Sequence, residues 1–240
     1  MNAQAILRKR NLYFGIFLGI LAVFITLIIV IGVTVTDLND LTLYYLILFL
    51  GFLVVVLYFK KLLASYNNLA KIAKVIQVQA GPIPFRTNVI ENPKSFYDAG
   101  YQVHSNNQDY TILYKLLVEK NIKYGKHKRL YIALLIKNKG FDFYNKNMHD
   151  DINRLENKFK RKEFPNKYMI TAFKAFDTMT EEHIKAIGEV VCYSVSKQSY
   201  VQINVGLALD EKLAYFLYSD SYDPNRYYKE AVEIIKNSVK

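Results

Sequence analysis

The sequence predicts an α+β domain attached to an N-terminal two-helix transmembrane hairpin. The hairpin is indicated by segments 11–36 and 41–59, which are apolar and contain no charged residue. As helices rising about 1.5 Å per residue, both are long enough to cross a hydrocarbon core of roughly 30 Å. The α+β domain is indicated by residues 85–240, where segments typical of strands alternate with segments typical of helices.

The charges around the apolar segments predict their orientation. Residues 1–10 are basic, basic residues also follow the second segment, and the short connection at 36–40 contains Asp37 and Asp40 but no Lys or Arg. The positive-inside rule then places both termini in the cytoplasm and the turn outside, as in a multi-pass cell-membrane protein. The first segment is too long for the apolar part of a cleaved signal peptide, so we expect it to be retained.

Residues 60–84 form a predicted amphipathic helical connector. Its apolar residues recur at alternating intervals of four and three, which places them on one helical stripe: Leu62, Tyr66, Leu69, Ala73 and Ile76. Gly81-Pro82-Ile83-Pro84 then ends the helix. Two arrangements fit this pattern. The connector either lies on the inner leaflet with its lysines on anionic lipid, or continues the second transmembrane helix as a stalk.

Small and charged residues bear on the role of the hairpin. Gly15 and Gly19 form a small-xxx-small pair, which allows close helix packing against the second helix or against another protomer. A homo-oligomer or a larger membrane complex is therefore among the expected partners. Neither apolar segment carries a charged residue of the kind that lines transport paths, so we expect an anchor in the lipid bilayer.

The strand and helix signals after residue 85 predict the order β-β-α-β-α-β-β-α, with a mainly antiparallel or mixed sheet. Strand signals fall at 110–118, 130–136, 168–176, 201–209 and 213–218. Helix-capping patterns fall near 147–150, 178–181 and 223–224. In the segment 201–209, apolar and other residues alternate with a period of two, which predicts a strand buried on one face.

The chemistry-bearing motifs of common enzyme classes are absent from the sequence. It contains no Gly-rich nucleotide-binding motif, no GxSxG nucleophile motif and no HExxH metal motif. The single cysteine, Cys192, excludes a cysteine-based metal cluster and is interpreted as a small buried hydrophobic residue in a helix that leads to a loop at Ser194, Ser196 and Ser199. Gly206 is interpreted as a bulge or a site of close packing within a strand. We expect no catalytic residue, no metal site and no cofactor.

Two basic clusters are the candidate binding residues. The chain has a net charge of +11, and the clusters lie near aromatic residues. Such clusters are suited to binding the phosphate groups of anionic lipid or of nucleic acid. The candidate anion-binding residues are Lys120, Lys123, Lys126, His127, Lys128 and Arg129, between two strands, and Lys158, Lys160, Arg161 and Lys162, at the end of a helix.

These observations favour a non-catalytic, membrane-anchored protein whose cytosolic domain binds or scaffolds a partner at the inner membrane surface. Two alternatives stay open. One is a membrane-tethered enzyme acting on nucleic acid or phosphate esters, in which Asp142, Asp150 and Asp151 would converge in one pocket. The other is an accessory subunit of a larger membrane complex that packs through the hairpin glycines.

Overall fold

The computed structural model describes residues 3–121, 125–159, 165–195 and 198–240. They divide into two units, residues 1–74 and 75–240. The elements in chain order are α1 (Ala3–Thr34), α2 (Leu38–Gln77), β1 (Ile83–Pro84), α3 (Lys94–Asp98), β2 (Gln102–Asn106), β3 (Tyr110–Asn121), β4 (Gly125–Ile136), α4 (Lys146–Asn157), β5 (Lys167–Phe176), α5 (Glu181–Ile187), β6 (Val191–Val195), β7 (Gln198–Ala208), β8 (Leu213–Phe216) and α6 (Arg226–Ser238).

The first unit is a hairpin of two long apolar helices, as the sequence predicts. Both helices are long and apolar enough to cross a membrane, and their most apolar windows are exposed. Aromatic pairs hold them side by side, with ring centroids 5.4 Å apart for Phe17–Phe59 and 5.2 Å apart for Phe24–Phe52. Asp37 stabilises the start of α2, because its Oδ1 accepts a hydrogen bond from the backbone N–H of Asn39 at 2.7 Å.

Gly32 is the glycine that permits close packing within the hairpin. The Tyr45 hydroxyl donates a hydrogen bond to the carbonyl oxygen of Ile28 at 3.3 Å, and a Cβ on Gly32 would lie 2.7 Å from that hydroxyl. A Cβ on Gly15 or Gly19 would have no heavy atom within 4 Å among the described residues. Packing of Gly15 and Gly19 against another protomer therefore stays a prediction.

The connector is helical and continuous with the second apolar segment. α2 passes through Lys60 and Lys61 without a break and ends at Gln77. The chain then becomes extended at Ile83–Pro84, within the Gly/Pro-rich break that the sequence predicts. The structure gives one continuous helix here, and both arrangements of the connector stay predictions.

The second unit is an α+β domain built on an eight-stranded mixed sheet in the described residues, which confirms the predicted class. The strand order is β1-β8-β7-β5-β4-β3-β2, with β6 also paired to β7. β3 and β4 form one antiparallel hairpin and β7 and β8 another, whereas β5 lies parallel to both β4 and β7. The parallel pairs follow from the two helical crossovers that enter and leave β5.

Helices cover both faces of the sheet. α4 and α5 contribute Met148, Ile152, Leu155 and Ile187 to a core cluster that includes Leu130 and Ile132 of β4. The alternate β4 residues Arg129 and Tyr131 bond to Glu230 of α6. Because neighbouring strand residues point to opposite faces, α6 lies on the face opposite α4.

Several predicted boundaries are wrong. Val191–Val195 is a strand rather than the end of a helix, because it pairs antiparallel with the start of β7. The N-cap residues are Asn145, Thr180 and Asn225, each of which accepts a backbone hydrogen bond through its side chain. The predicted order also omits β1, α3, β2 and β6, which are short elements.

Candidate anion-binding site

The two basic segments lead to neighbouring residues of the sheet. The first segment forms the distal half of the β3–β4 hairpin, where Lys120 is paired with Lys126 in the antiparallel register. The second segment leads into β5, where Lys167 is paired with Arg129 of β4. The backbone N–H of Asn166 also donates to the carbonyl oxygen of Lys128 at 3.2 Å. The described residues next to the two basic segments, Asn166 and Lys167 on one side and Lys128 and Arg129 on the other, are thus neighbours in the sheet.

The described residues cover the candidate clusters in part. Lys123, Lys160, Arg161 and Lys162 lie outside the described residues, as do the side chains of Lys120, Lys126 and His127. Lys128 and Arg129 lie on β4 with 8% and 5% of their surface exposed, rather than in a solvated connection between strands. Buried lysine and arginine are rare unless they are paired, so their surroundings decide their role.

Arg129 is held by a carboxylate from the last helix. Its Nη1 lies 3.2 Å and 3.1 Å from the two carboxylate oxygens of Glu230. The Tyr131 hydroxyl donates to the same carboxylate at 2.5 Å. Burial and this hydrogen bond raise the pKa of Tyr131 above its ordinary value. Arg129 therefore has a structural role, and it fixes the start of β4 against α6.

Three cationic side chains lie near the ring of Tyr227 at this end of the sheet. Arg129, Lys167 and Arg226 each lie 5.5 Å from the ring centroid. This distance is within the range of cation–π attraction, which holds the cations near one another despite their like charge. We call Arg129, Lys167, Arg226 and Tyr227 the cation–tyrosine cluster.

Lys167, a member of this cluster, is the first residue of β5 and follows the second basic segment in the chain. Its Nζ donates to the Ser199 hydroxyl at 3.4 Å. Burial and the nearby charge of Arg129 lower its pKa. A phosphate group close to Lys167 and Arg226 would accept charge-assisted hydrogen bonds, which is the chemistry that these two cations offer.

Lys158 is directed elsewhere. Its Nζ donates to Nδ1 of His104 at 3.1 Å, and His104 Nε2 bonds to the carbonyl oxygen of Asp151 at 3.2 Å. Burial and the charge of Lys158 lower the pKa of His104, which keeps the imidazole neutral as an acceptor for the lysine. Lys158 thus joins the end of α4 to β2, away from the cation–tyrosine cluster.

Asp142 and Asp151, two of the acidic residues that the enzyme hypothesis would use, have different hydrogen-bond partners. Asp151 accepts hydrogen bonds from Tyr110 at 2.7 Å and from Arg154 at 2.7 Å. Although burial opposes ionisation, these bonds and that from Ser105 hold the pKa of Asp151 below its ordinary value. Asp142 accepts from the backbone N–H of Tyr144 at 3.0 Å. In the described part of the chain, no three His, Cys, Asp or Glu residues are grouped to hold a metal.

The other singled-out residues have packing roles. Cys192 is buried, as expected, and its Sγ accepts a hydrogen bond from Asn225 Nδ2 at 3.2 Å. Gly206 lies where a Cβ would be 2.3 Å from Ile187 Cδ1, which confirms the interpretation of close packing.

Sequence reasoning missed Lys167, Arg226 and Tyr227 as cluster members. Lys167 carries a weak signal, because it opens a strand directly after a basic segment. Arg226 and Tyr227 are nearly 100 residues from Arg129 in the chain, and only the packing of α6 on the sheet brings them together. No protein-family model, curated protein or solved structure matches this chain.

Proposed function

We propose that this is a two-span membrane-anchored protein whose α+β domain binds an anionic partner at the inner membrane surface, without catalysing a reaction. The observation that carries the proposal is the convergence of Lys167 and Arg226 on Tyr227, beside the structural Arg129. Basic side chains arranged around an aromatic ring are the groups that contact phosphates at anionic surfaces.

The anchor supports this proposal through its length and charge. The exposed apolar windows of α1 and α2 fit the lipid environment, and the basic residues that flank them favour cytoplasmic termini. A domain tethered in this way meets the anionic inner leaflet, and molecules bound there, at high effective concentration. Weak individual contacts then suffice for stable binding.

We expect the binding to depend on salt and on the cluster. The full chain, held in nanodiscs of neutral lipid, is titrated with vesicles containing phosphatidylglycerol and, separately, with a single-stranded oligonucleotide. Affinity for the true partner class should fall steeply between about 50 and 200 mM salt. The salt dependence is measured as the slope of log affinity plotted against log salt concentration. The double variant Lys167→Gln/Arg226→Gln should make this slope shallower by about one for each phosphate group that it no longer neutralises.

The matched control is Lys94→Gln/Lys146→Gln, which removes the same charge from exposed positions on α3 and α4. This control should bind as the native chain does. Equal weakening by both double variants would assign the binding to net charge rather than to the cluster. Binding of neither probe, or binding insensitive to salt, would contradict the proposal.

A further inference from the structure

A cavity on the α6 face of the sheet lies beside the cation–tyrosine cluster, and its lining residue Glu230 bonds to Arg129 of that cluster. Its volume is about 290 Å³, at the lower end of the range of small-molecule sites, roughly 300–1,000 Å³. α3, the strands β3 and β4 and α6 supply its walls. Phe96, Leu117 and Ile234 give it apolar sides, and Tyr101, Tyr131 and Glu230 supply polar groups.

Tyr101 brings an unused hydroxyl to this cavity. The residue is only 7% exposed, and its ring packs edge-on against Phe96 at 5.2 Å between centroids. Within the described part of the chain, the hydroxyl has no hydrogen-bond partner. The hydroxyl is open to the cavity, where a ligand atom that bonds to it would add one hydrogen bond.

The neighbouring groups set the state of that hydroxyl. Burial raises the pKa of Tyr101, and Tyr131 and Glu230 raise it further. The hydroxyl is therefore protonated at neutral pH, and it can both donate one hydrogen bond and accept others.

The charged groups that line the cavity bear on the charge of its ligand. Its described lining includes the carboxylates of Glu230 and Glu233 and the ammonium group of Lys115. Lys115 donates to the carbonyl oxygen of Ala99 at 2.5 Å, which directs its Nζ to that carbonyl. Glu230 keeps 28% of its side chain exposed although it also pairs with Arg129. The lining thus carries two carboxylates against one ammonium group that is bonded to a lining carbonyl, although Arg129 neutralises part of the charge of Glu230.

We propose that this cavity binds a small organic amine with an apolar body. The ammonium group donates hydrogen bonds to the Glu230 carboxylate and to the Tyr101 hydroxyl oxygen. The apolar body lies against Phe96, Leu117 and Ile234. This site differs from the anion-binding function proposed above in the charge of its ligand, but it shares Glu230, which also holds Arg129.

Equilibrium dialysis of the full chain in mild detergent tests the site with three probes of one shape. Phenethylamine carries an ammonium group, 2-phenylethanol is neutral and phenylacetate is an anion. We expect saturable binding of phenethylamine with a Kd of about 1 mM or tighter, and weaker binding of the other two. Tyr101→Phe should weaken phenethylamine binding about fivefold, the effect of one hydrogen bond.

Two further variants separate the site from general effects. Tyr97→Phe removes a hydroxyl from an exposed tyrosine outside the cavity and should leave binding unchanged. Glu230→Gln keeps an acceptor for Tyr131 and should abolish the preference for phenethylamine over 2-phenylethanol. The proposal is overturned if phenylacetate binds as tightly as the amine, if Tyr101→Phe binds the amine like the native chain, or if no probe binds saturably.

Discussion

Replacing Glu230 with alanine is expected to lower the free energy of unfolding of the α+β domain by about 3 kcal/mol. The variant removes the carboxylate that faces Arg129, whose side chain is 6% exposed. It also removes the acceptor of the buried Tyr131 hydroxyl. A buried cation that loses its carboxylate keeps the cost of desolvation without the compensating attraction.

The measurement is urea denaturation of the full chain in mild detergent, followed by near-UV circular dichroism of the tyrosines, because the chain has no tryptophan. Glu233→Ala is the matched control. It removes an exposed carboxylate one helical turn further along α6, so its effect should stay within about 0.5 kcal/mol. If the two variants lost equal stability, Glu230 would not hold Arg129 as described.

Replacing Gly206 with alanine is expected to cost about 2 kcal/mol. The added Cβ would lie 2.3 Å from Ile187 Cδ1 and 3.2 Å from Met179 Cε. Ile187 is the last residue of α5 and is itself buried, so it has little room to move away. The added methyl group therefore has to displace the helix or force an unfavourable rotamer.

Ile187→Val tests this explanation, because it removes the Cδ1 atom that would collide. The single variant should cost about 1 kcal/mol, and the double variant Gly206→Ala/Ile187→Val should lose less stability than the sum of the two. Gly81→Ala, which has open space around its Cβ position, is the control and should be nearly neutral. Additive losses in the double variant would show that the contact is not the cause.

The sequence predicts the hairpin well and the burial of the central strand poorly. Uncharged apolar segments of sufficient length are a strong signal, since few other structures tolerate them. In β7, the polar residues Gln202 and Asn204 predict an exposed face, yet they are 1% and 0% exposed. Helices α5 and α6 both contact this strand. Asn204 Nδ2 donates to the carbonyl oxygens of Ala186 and Glu189 at 3.2 and 2.8 Å. The buried amide therefore satisfies carbonyl groups at the end of α5.

The cation–tyrosine cluster was predictable only in part. Runs of Lys and Arg are visible in the sequence, and of their members Arg129 belongs to the cluster whereas Lys158 bonds to His104. The partners of Arg129 are not visible, because Glu230 is 101 residues away and reaches it through tertiary packing. Such pairs follow from strand register and helix placement, which local patterns do not determine.

The placement of the start of α2 and of the C-terminus on opposite sides of the membrane tests the membrane-anchor account most directly. In a Cys192→Ala background, single cysteines are introduced at Asn39, in the first turn of α2, and at Lys240. A membrane-impermeant maleimide is then applied to intact and to permeabilised cells. The account predicts labelling of Asn39→Cys in intact cells and labelling of Lys240→Cys only after permeabilisation. Labelling of Lys240→Cys in intact cells would contradict it.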